Sequence, residues 1–157
     1  MRAAVAAALT LGAAASSQAA TVCLAAASAL VFGIYDPLAS GAAETTATVT
    51  VTCTPTLGSP LTTAYSIGIA GTGVGNDAVR SASVSGQRLY YQVYKDPGRS
   101  QVWGDGATAG SAVAGSVTSV AVAVPAVRTH VAYVRMAAGQ RVAAGIYLGS
   151  LLVTVDY

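Results

Sequence analysis

Charge is what this chain of 157 residues has least of: Asp, Glu, Lys and Arg make up 9% of it, against about 25% in an ordinary soluble domain. Eight basic and six acidic residues leave a formal net charge of +2. A charge so small and scattered excludes the basic footprint of a nucleic-acid-binding protein. Histidine is equally scarce, because His130 is the only one, and with two cysteines it argues against a zinc site.

Catalytic groupings are also missing. His130 lies in a predicted strand, where a lone histidine is usually structural, and no Ser, His and acid triad can be assigned around it. The cluster Gly71, Gly73 and Gly75 lacks the lysine of a phosphate-binding loop, so we expect a hairpin loop there. The acids are dispersed, and four of the six lie in predicted turns, where Asp bonds the local backbone. The six are Asp36, Glu44, Asp77, Asp96, Asp105 and Asp156. We expect no catalytic residue, no metal and no cofactor, and rank an exported enzyme last.

The N-terminus predicts export. Arg2 is followed by an apolar run without acidic residues, and small residues then stand at the two positions that a signal peptidase reads. We predict a signal peptide over residues 1–19 and one mature domain over residues 20–157, with cleavage after Ala20 as the alternative. A membrane anchor is disfavoured because the run is shorter than the ~20 residues that span a bilayer.

The chain is rich in Ala, Val, Thr and Gly. Apolar residues make up 54%, and there are 17 glycines. Val and Thr favour pleated strands, so the composition predicts an all-β domain. The clearest strand runs from Thr45 to Thr54, where five threonines alternate with Ala47, Val49, Val51 and Cys53. This alternation predicts an apolar face towards the core and a hydroxylated face towards solvent.

Seven short strands are predicted in this way, and turns separate them. They are a first strand with Leu30, Phe32 and Ile34 on one face, then Thr45–Thr54, Tyr65–Ile69, Leu89–Val93, Val117–Val124, Val131–Met136 and Ile146–Tyr157. Residues 80–86 are expected to continue the loop that begins at Gly71, and residues 24–29 have a helix as their alternative. Seven strands in one domain predict an immunoglobulin-like sandwich.

Cys23 and Cys53 predict a disulfide, because an exported chain with an even number of cysteines usually pairs them. The bond would close a loop of about 30 residues and stabilise the fold by about 3–4 kcal/mol on the chain-entropy model. Two buried thiols are the alternative.

Trp103 and Asp105 belong to a Trp-Gly-Asp-Gly segment in a long predicted loop. We expect Trp103 to cap one end of the sandwich while Asp105 and Gly106 form a tight turn. The alternative is a loop contact to a ligand, in which Trp103 stacks on a carbohydrate.

The last predicted strand is expected to lack a neighbour. Leu151, Val153, Val155 and Tyr157 share one apolar face, and nothing follows Tyr157. An exposed edge beside an uncovered core is a template for strand addition. We therefore expect another molecule to supply the missing neighbour.

An ordered set of segments across the chain resembles the spore coat protein U domain family. The set consists of Cys23, FGIYDP at residues 32–37, VTVTCT at 49–54, LYYQVY at 89–94, WGDG at 103–106, GIY at 145–147 and VTVDY at 153–157. The resemblance implies an incomplete immunoglobulin-like β-sandwich that lacks its final strand and is completed by a donor strand. It also implies that Cys23 and Cys53 form the disulfide of the family.

The resemblance implies partners as well, because the family includes the pilins of archaic chaperone–usher fimbriae. A periplasmic chaperone lends a strand, and at an outer-membrane usher the N-terminal extension of a neighbouring subunit replaces it. The groove would lie between the first and last strands, at Leu30, Phe32, Ile34, Leu151, Val153, Val155 and Tyr157. The expected role is a non-catalytic subunit of a surface fibre, exported to the periplasm and then to the cell surface, for attachment and biofilm growth.

One departure from the family pattern predicts a tip position. Cleavage after Ala19 leaves Ala20, Thr21 and Val22 before Cys23, and three residues span about 10 Å. A donor strand of about ten residues does not fit there, so we expect a subunit that accepts a strand without donating one. An earlier signal cleavage and an upstream start stay open. The alternative functions are a tip adhesin that binds carbohydrate or an abiotic surface through loops, and a self-completed secreted coat or matrix protein.

Overall fold

The structure is a computed structural model, and it describes residues 20–71, 80–107, 110–147 and 151–157. The predicted signal peptide at residues 1–19 lies outside the described residues, as does most of the predicted glycine loop that starts at Gly71.

The described part of the chain is all-β, as predicted, and it contains no helix. Its strands are β1 (Val22–Ala27), β2 (Ala43–Thr54), β3 (Thr62–Gly71), β4 (Arg80–Val84), β5 (Gln87–Tyr94), β6 (Val113–Thr118), β7 (Ala126–Met136) and β8 (Leu151–Asp156). They form a five-stranded sheet in the order β1-β2-β7-β5-β4 and a three-stranded sheet in the order β6-β3-β8. Every strand pair is antiparallel, and the two sheets pack as an immunoglobulin-like sandwich.

The core lies where the alternating patterns of three strands predict it. In β2 the buried side chains include Val49 and Val51, and the intervening threonines face outward. The predicted apolar faces of β3 and β5 are buried in the same way: Tyr65, Ile67, Ile69, Leu89, Tyr91 and Val93. Each of these aliphatic side chains stabilises the fold by roughly 1.5–3 kcal/mol, so the three strands hold the two sheets together.

The predicted disulfide between Cys23 and Cys53 is confirmed. The two residues are direct cross-strand partners of β1 and β2, with Cα atoms 4.1 Å apart. The bond fixes the register of β1 against the rest of the sheet.

The predicted first strand through Leu30, Phe32 and Ile34 is wrong. The first strand is β1, which includes most of the segment that had a helix as its alternative. Gly33 has φ +77°, and this left-handed conformation cannot continue a strand. The chain runs from β1 to β2 as an irregular segment, anchored where Tyr35 pairs with Gly145.

Other strand bounds also differ from the prediction, as β7 begins at Ala126 and β8 at Leu151. Residues 80–84 form β4 instead of a loop, and Ser85 and Gly86 make the turn into β5, both with positive φ. The strand predicted over Val117–Val124 lies earlier, as β6. Ser119 ends it, because its hydroxyl donates to the carbonyl of Val124 and closes a turn.

Candidate functional site

The two sheets do not close along one side of the sandwich. β1 is the edge of one sheet and β8 is the edge of the other, and these two edges are near each other without pairing. Within the described ranges, β1 pairs with β2 alone and β8 pairs with β3 alone. We call the gap between them the open seam.

An apolar cleft of about 280 Å³ lies at one end of the open seam. It is lined by Ala27, Ser28, Leu30, Ala47, Thr48, Val49, Ile69, Tyr91, Val93, Ala132, Val134, Leu151 and Val153. None of these lining residues is charged. The sandwich core therefore reaches solvent here, between Leu30 on one side and Val153 on the other.

The backbone of β8 presents alternate residues to the open seam. Ile69 of β3 donates its N–H to the carbonyl of Gly104 (3.1 Å), away from β8. Because neighbouring residues of a strand alternate in direction, Gly68 must face β8, where it is opposite Thr154. The alternation along β8 then turns the N–H and C=O groups of three residues into the open seam: Leu151, Val153 and Val155.

The same three residues also carry the core-facing side chains of β8. Leu151, Val153 and Val155 are half-buried and pack against the core cluster, whereas Leu152 on the other face is 54% exposed. Their backbone groups and their incompletely covered side chains thus meet at one edge. An added strand could form hydrogen bonds with these backbone groups and cover these side chains.

The edge of β1 is arranged in the same way. Ser28, just after β1, donates its N–H to the carbonyl of Thr48 (2.9 Å), so residues at even positions face β2. The short Cα distance between Cys23 and Cys53 agrees, since it is typical of a cross-strand pair without its own hydrogen bonds. Ala25 and Ala27 therefore turn their N–H and C=O groups to the open seam.

A second cavity, of about 410 Å³, lies beside the first residues of β3. It is lined by Ala20, Thr21, Pro60, Thr62, Thr63, Ala64 and Tyr157. β8 ends opposite Ser66, so the first residues of β3 extend beyond the end of β8. Tyr157 marks this end of the open seam.

The structure places the predicted groove residues unequally. Leu30, Leu151 and Val153 line the cleft. Phe32 packs edge-on against Tyr91, with ring centroids 5.8 Å apart. Ile34 is 73% exposed, lies in the irregular segment and is not among the residues that line the cleft, so its place in the groove stays a prediction.

The contribution of β1 itself was not predicted, because Ala25 and Ala27 carry no apolar contrast with Ala26. Without contrast between the two faces, a strand of alanines shows no alternation. The disulfide to the alternating β2 strand was the available signal for this position.

Trp103 is fully buried, so the alternative of a ligand contact at this residue is wrong. Its indole N–H donates to the carbonyl of Ile67 (2.9 Å), and its ring fills space between the sheets. Asp105 accepts the N–H of Ala107 (2.7 Å), and Gly106 has φ +83°. Asp105 and Gly106 thus turn the chain as predicted, whereas Trp103 is a core residue between the sheets.

Arg80 is a buried polar residue that the sequence did not reveal. Its guanidinium donates to the carbonyls of Ile69 (2.7 Å) and Trp103 (2.6 Å) and to the side chain of Gln92. It thereby joins β4 and β5 to β3 and to the Trp103 segment, behind the wall of the cleft.

His130 has a structural position between the sheets. Its Nε2 atom lies 2.8 Å from the hydroxyl oxygen of Tyr65, and its ring packs edge-on against Trp103. Burial lowers the pKa of His130, and the positive charge of Arg128 lowers it further. In the ranges that the structure describes, no three His, Cys, Asp or Glu side chains gather as a metal site, and no helix could cross a membrane.

Comparisons with known proteins bear on this geometry. Residues 8–154 match the family model of the Spore Coat Protein U domain. No curated protein sequence matches the chain significantly. Among solved structures, the fold matches a chain in the CsuC–CsuE chaperone–tip adhesion subunit pre-assembly complex from the archaic chaperone–usher Csu pili of Acinetobacter baumannii, with a TM-score of 0.57.

That structural match has 16% sequence identity and covers 88% of this chain. At this identity the likeness concerns the fold. This chain spans 40% of the length of the matched chain.

Proposed function

This chain belongs to the Spore Coat Protein U domain family, and from that premise we propose that it is a non-catalytic structural subunit of a surface fibre. In this proposal a strand from another chain enters the open seam and completes the sandwich. The first partner is a periplasmic chaperone and the second is a neighbouring subunit, exchanged at an outer-membrane usher. The signal peptide at residues 1–19 directs the chain to the periplasm, from which the assembled fibre reaches the cell surface.

One observation carries the proposal: Val153 and Val155 face the open seam with their backbone groups, their side chains are half-buried, and Val153 lines an apolar cleft. Strand addition uses this combination, because main-chain hydrogen bonds supply affinity and alternate side chains enter pockets. The matched Csu structure, a complex of a chaperone with a pilus subunit, supports the choice of first partner.

The energetics favour a tight joint without a covalent link. Each apolar side chain that a donor strand buries contributes roughly 1.5–3 kcal/mol, and each net main-chain hydrogen bond contributes about 0.5–1.5 kcal/mol. Along β8, a donor strand can make these contacts at three alternate residues: Leu151, Val153 and Val155. The donor strand should therefore be apolar at alternate positions and uncharged where it meets the cleft.

Periplasmic expression with and without a cognate chaperone tests the proposal. We expect soluble protein only when the chaperone is present, recovered as a one-to-one complex. A soluble, stable monomer without any chaperone would favour the self-completed coat or matrix protein instead. N-terminal sequencing of the soluble protein tests the signal peptide, with Ala20 or Thr21 expected as the first residue.

Attachment through loops is a second candidate function, and exposed apolar loop tips favour it. Leu57 is 84% exposed and Val120 is 85% exposed. Their loops adjoin, because Ala123 donates its N–H to the carbonyl of Pro55 (2.8 Å). An apolar patch of this kind suits contact with an apolar surface.

Paired variants test attachment. Leu57→Ser and Val120→Ser should reduce binding of the fibre to a hydrophobic surface such as polystyrene. Leu38→Ser is the matched control, because Leu38 is 91% exposed but belongs to the segment between β1 and β2. Equal attachment by all three variants would remove the adhesin candidate.

A further inference from the structure

A second seam lies on the other side of the sandwich, between β6 and the first half of β7. β5 pairs with β7 only from Tyr133 to Met136. On that side β7 has no strand partner from Val127 to Val131 among the residues described, and β6 pairs with β3 alone. We call this gap the second seam.

The second seam also exposes backbone groups. Val93 of β5 gives its carbonyl to the N–H of Trp103 (2.9 Å), away from β7. The alternate residues of β5 therefore bond to β7, and the register turns the N–H and C=O of Thr129 to the second seam. On β6, Ser119 donates its N–H towards β3 (2.9 Å), so Ser116 faces the second seam.

Arg128 occupies the middle of this second seam. On β7 it shares the face of His130 and Ala132, which is directed towards the other sheet, and its side chain is exposed to solvent in the second seam. Its Nη1 atom donates to the carbonyl of Ser116 (3.4 Å), across the gap. The guanidinium thereby occupies a backbone carbonyl of β6 that faces the second seam.

The two seams differ in charge. The residues that line the cleft of the open seam are uncharged. The cleft of about 310 Å³ beside the second seam is lined by Lys95 and His130, and Arg128 lies close enough to lower the pKa of His130. An inward-pointing charge is one of the means by which sheet edges are protected from pairing.

We infer that Arg128 determines which edge of the sandwich accepts a strand: it closes the second seam and leaves the open seam between β1 and β8 as the acceptor. A strand laid along β7 would cover the guanidinium and remove its charge from water. Burial of the charge is unfavourable because its acceptor is a neutral carbonyl and not a carboxylate. The inference rests on the proposed function for the open seam, but it concerns different residues and a different edge.

The test replaces the charge and follows self-association of the protein as it is isolated, in complex with its chaperone. Arg128→Thr removes the charge and keeps a residue suited to a strand. Arg128→Lys keeps the charge, and Arg135→Thr removes an exposed charge from the outer face of the same strand. Sedimentation velocity measures association, and amide hydrogen exchange locates the new contact.

We expect Arg128→Thr to self-associate at least tenfold more tightly than the wild type, with new protection of the Thr129 and Val131 amides. Arg128→Lys and Arg135→Thr should sediment like the wild type. Unchanged sedimentation of Arg128→Thr would overturn the inference, as would association that protects the Val153 amide instead of Thr129. If Arg128→Thr gives no soluble protein, Arg128→Gln carries the same expectation.

Failure of the proposed function has a separate signature. It would appear in the wild-type chain alone, as a Val153 amide already protected in the monomer. The Arg128 series would then still report on the second seam.

Discussion

The Nε2 atom of His130 and the hydroxyl oxygen of Tyr65 are 2.8 Å apart, and their hydrogen bond links β7 of one sheet to β3 of the other. It lies at the second seam, where β7 lacks its neighbour from β5. The bond therefore holds the two sheets at a place where strand pairing does not.

The surroundings of His130 predict a pH dependence of stability. Burial and the charge of Arg128 lower the pKa of His130 below 6.5 in the folded protein, so the unfolded chain takes up the proton first. The contribution to stability is present above pH 6.5 and is lost as the pH falls towards the lower pKa of the folded state. Unfolding free energies at pH 7.5 and pH 5 measure this loss.

His130→Gln is the control, because it cannot titrate in this range. We expect the wild type to lose more stability than His130→Gln between the two pH values. Equal losses in the two proteins would show that His130 does not titrate on unfolding.

A charge on the inner face of β8 should prevent strand capture. Val153→Asp places a carboxylate at the apolar cleft and removes an apolar contact worth roughly 1.5–3 kcal/mol, so chaperone affinity should fall about ten- to hundredfold. Leu152→Asp places the same charge on the outer face of β8 and should bind normally. Co-purification and titration calorimetry measure the difference, and equal binding by both variants would refute the groove assignment.

Proline substitutions test the direction of the backbone in β8. The N–H of Val155 faces the open seam, so Val155→Pro leaves the pairing with β3 intact and removes one bond to a donor strand, worth about 0.5–1.5 kcal/mol. Thr154→Pro removes an N–H that faces β3 and should prevent folding. Soluble yield and chaperone affinity distinguish the two, and a well-folded Thr154→Pro would reverse the assigned directions.

Trp103→Ala should destabilise the fold instead of removing a ligand contact. The side chain is fully buried and its N–H is bonded to Ile67, so its loss should lower the free energy of unfolding by about 3–5 kcal/mol. Denaturant unfolding of the soluble complex measures this. A change below about 1 kcal/mol would contradict the assigned burial.

Side-chain contrast decided how far the sequence could predict this fold. In β2, apolar residues alternate with threonines, and its last residue and its buried face follow from the pattern, while the strand begins two residues earlier than predicted. The same contrast does not distinguish a strand from an irregular segment around Leu30 and Ile34, where the conformation of Gly33 breaks the strand. Alanines on both faces of β1 leave no contrast at all.

The site was predicted in part for similar reasons. Leu151 and Val153 could be assigned because β8 alternates. The opposite wall depends on how the chain pairs after the disulfide, which local pattern does not encode. Arg80 and Arg128 are ordinary charged residues in the sequence, and their roles depend on tertiary neighbours. Arg80 is surrounded by backbone carbonyls, and Arg128 donates across the second seam to Ser116.

Amide hydrogen exchange at Val153 and Val155 tests the central claim most directly. We predict that both amides exchange rapidly in a short labelling pulse given as the chaperone is removed, while those of Leu152 and Thr154 are still protected by β3. We expect a bound donor strand to slow the exchange of Val153 and Val155 at least a hundredfold. Strong protection of Val153 and Val155 in a compact monomer without a partner would contradict the claim.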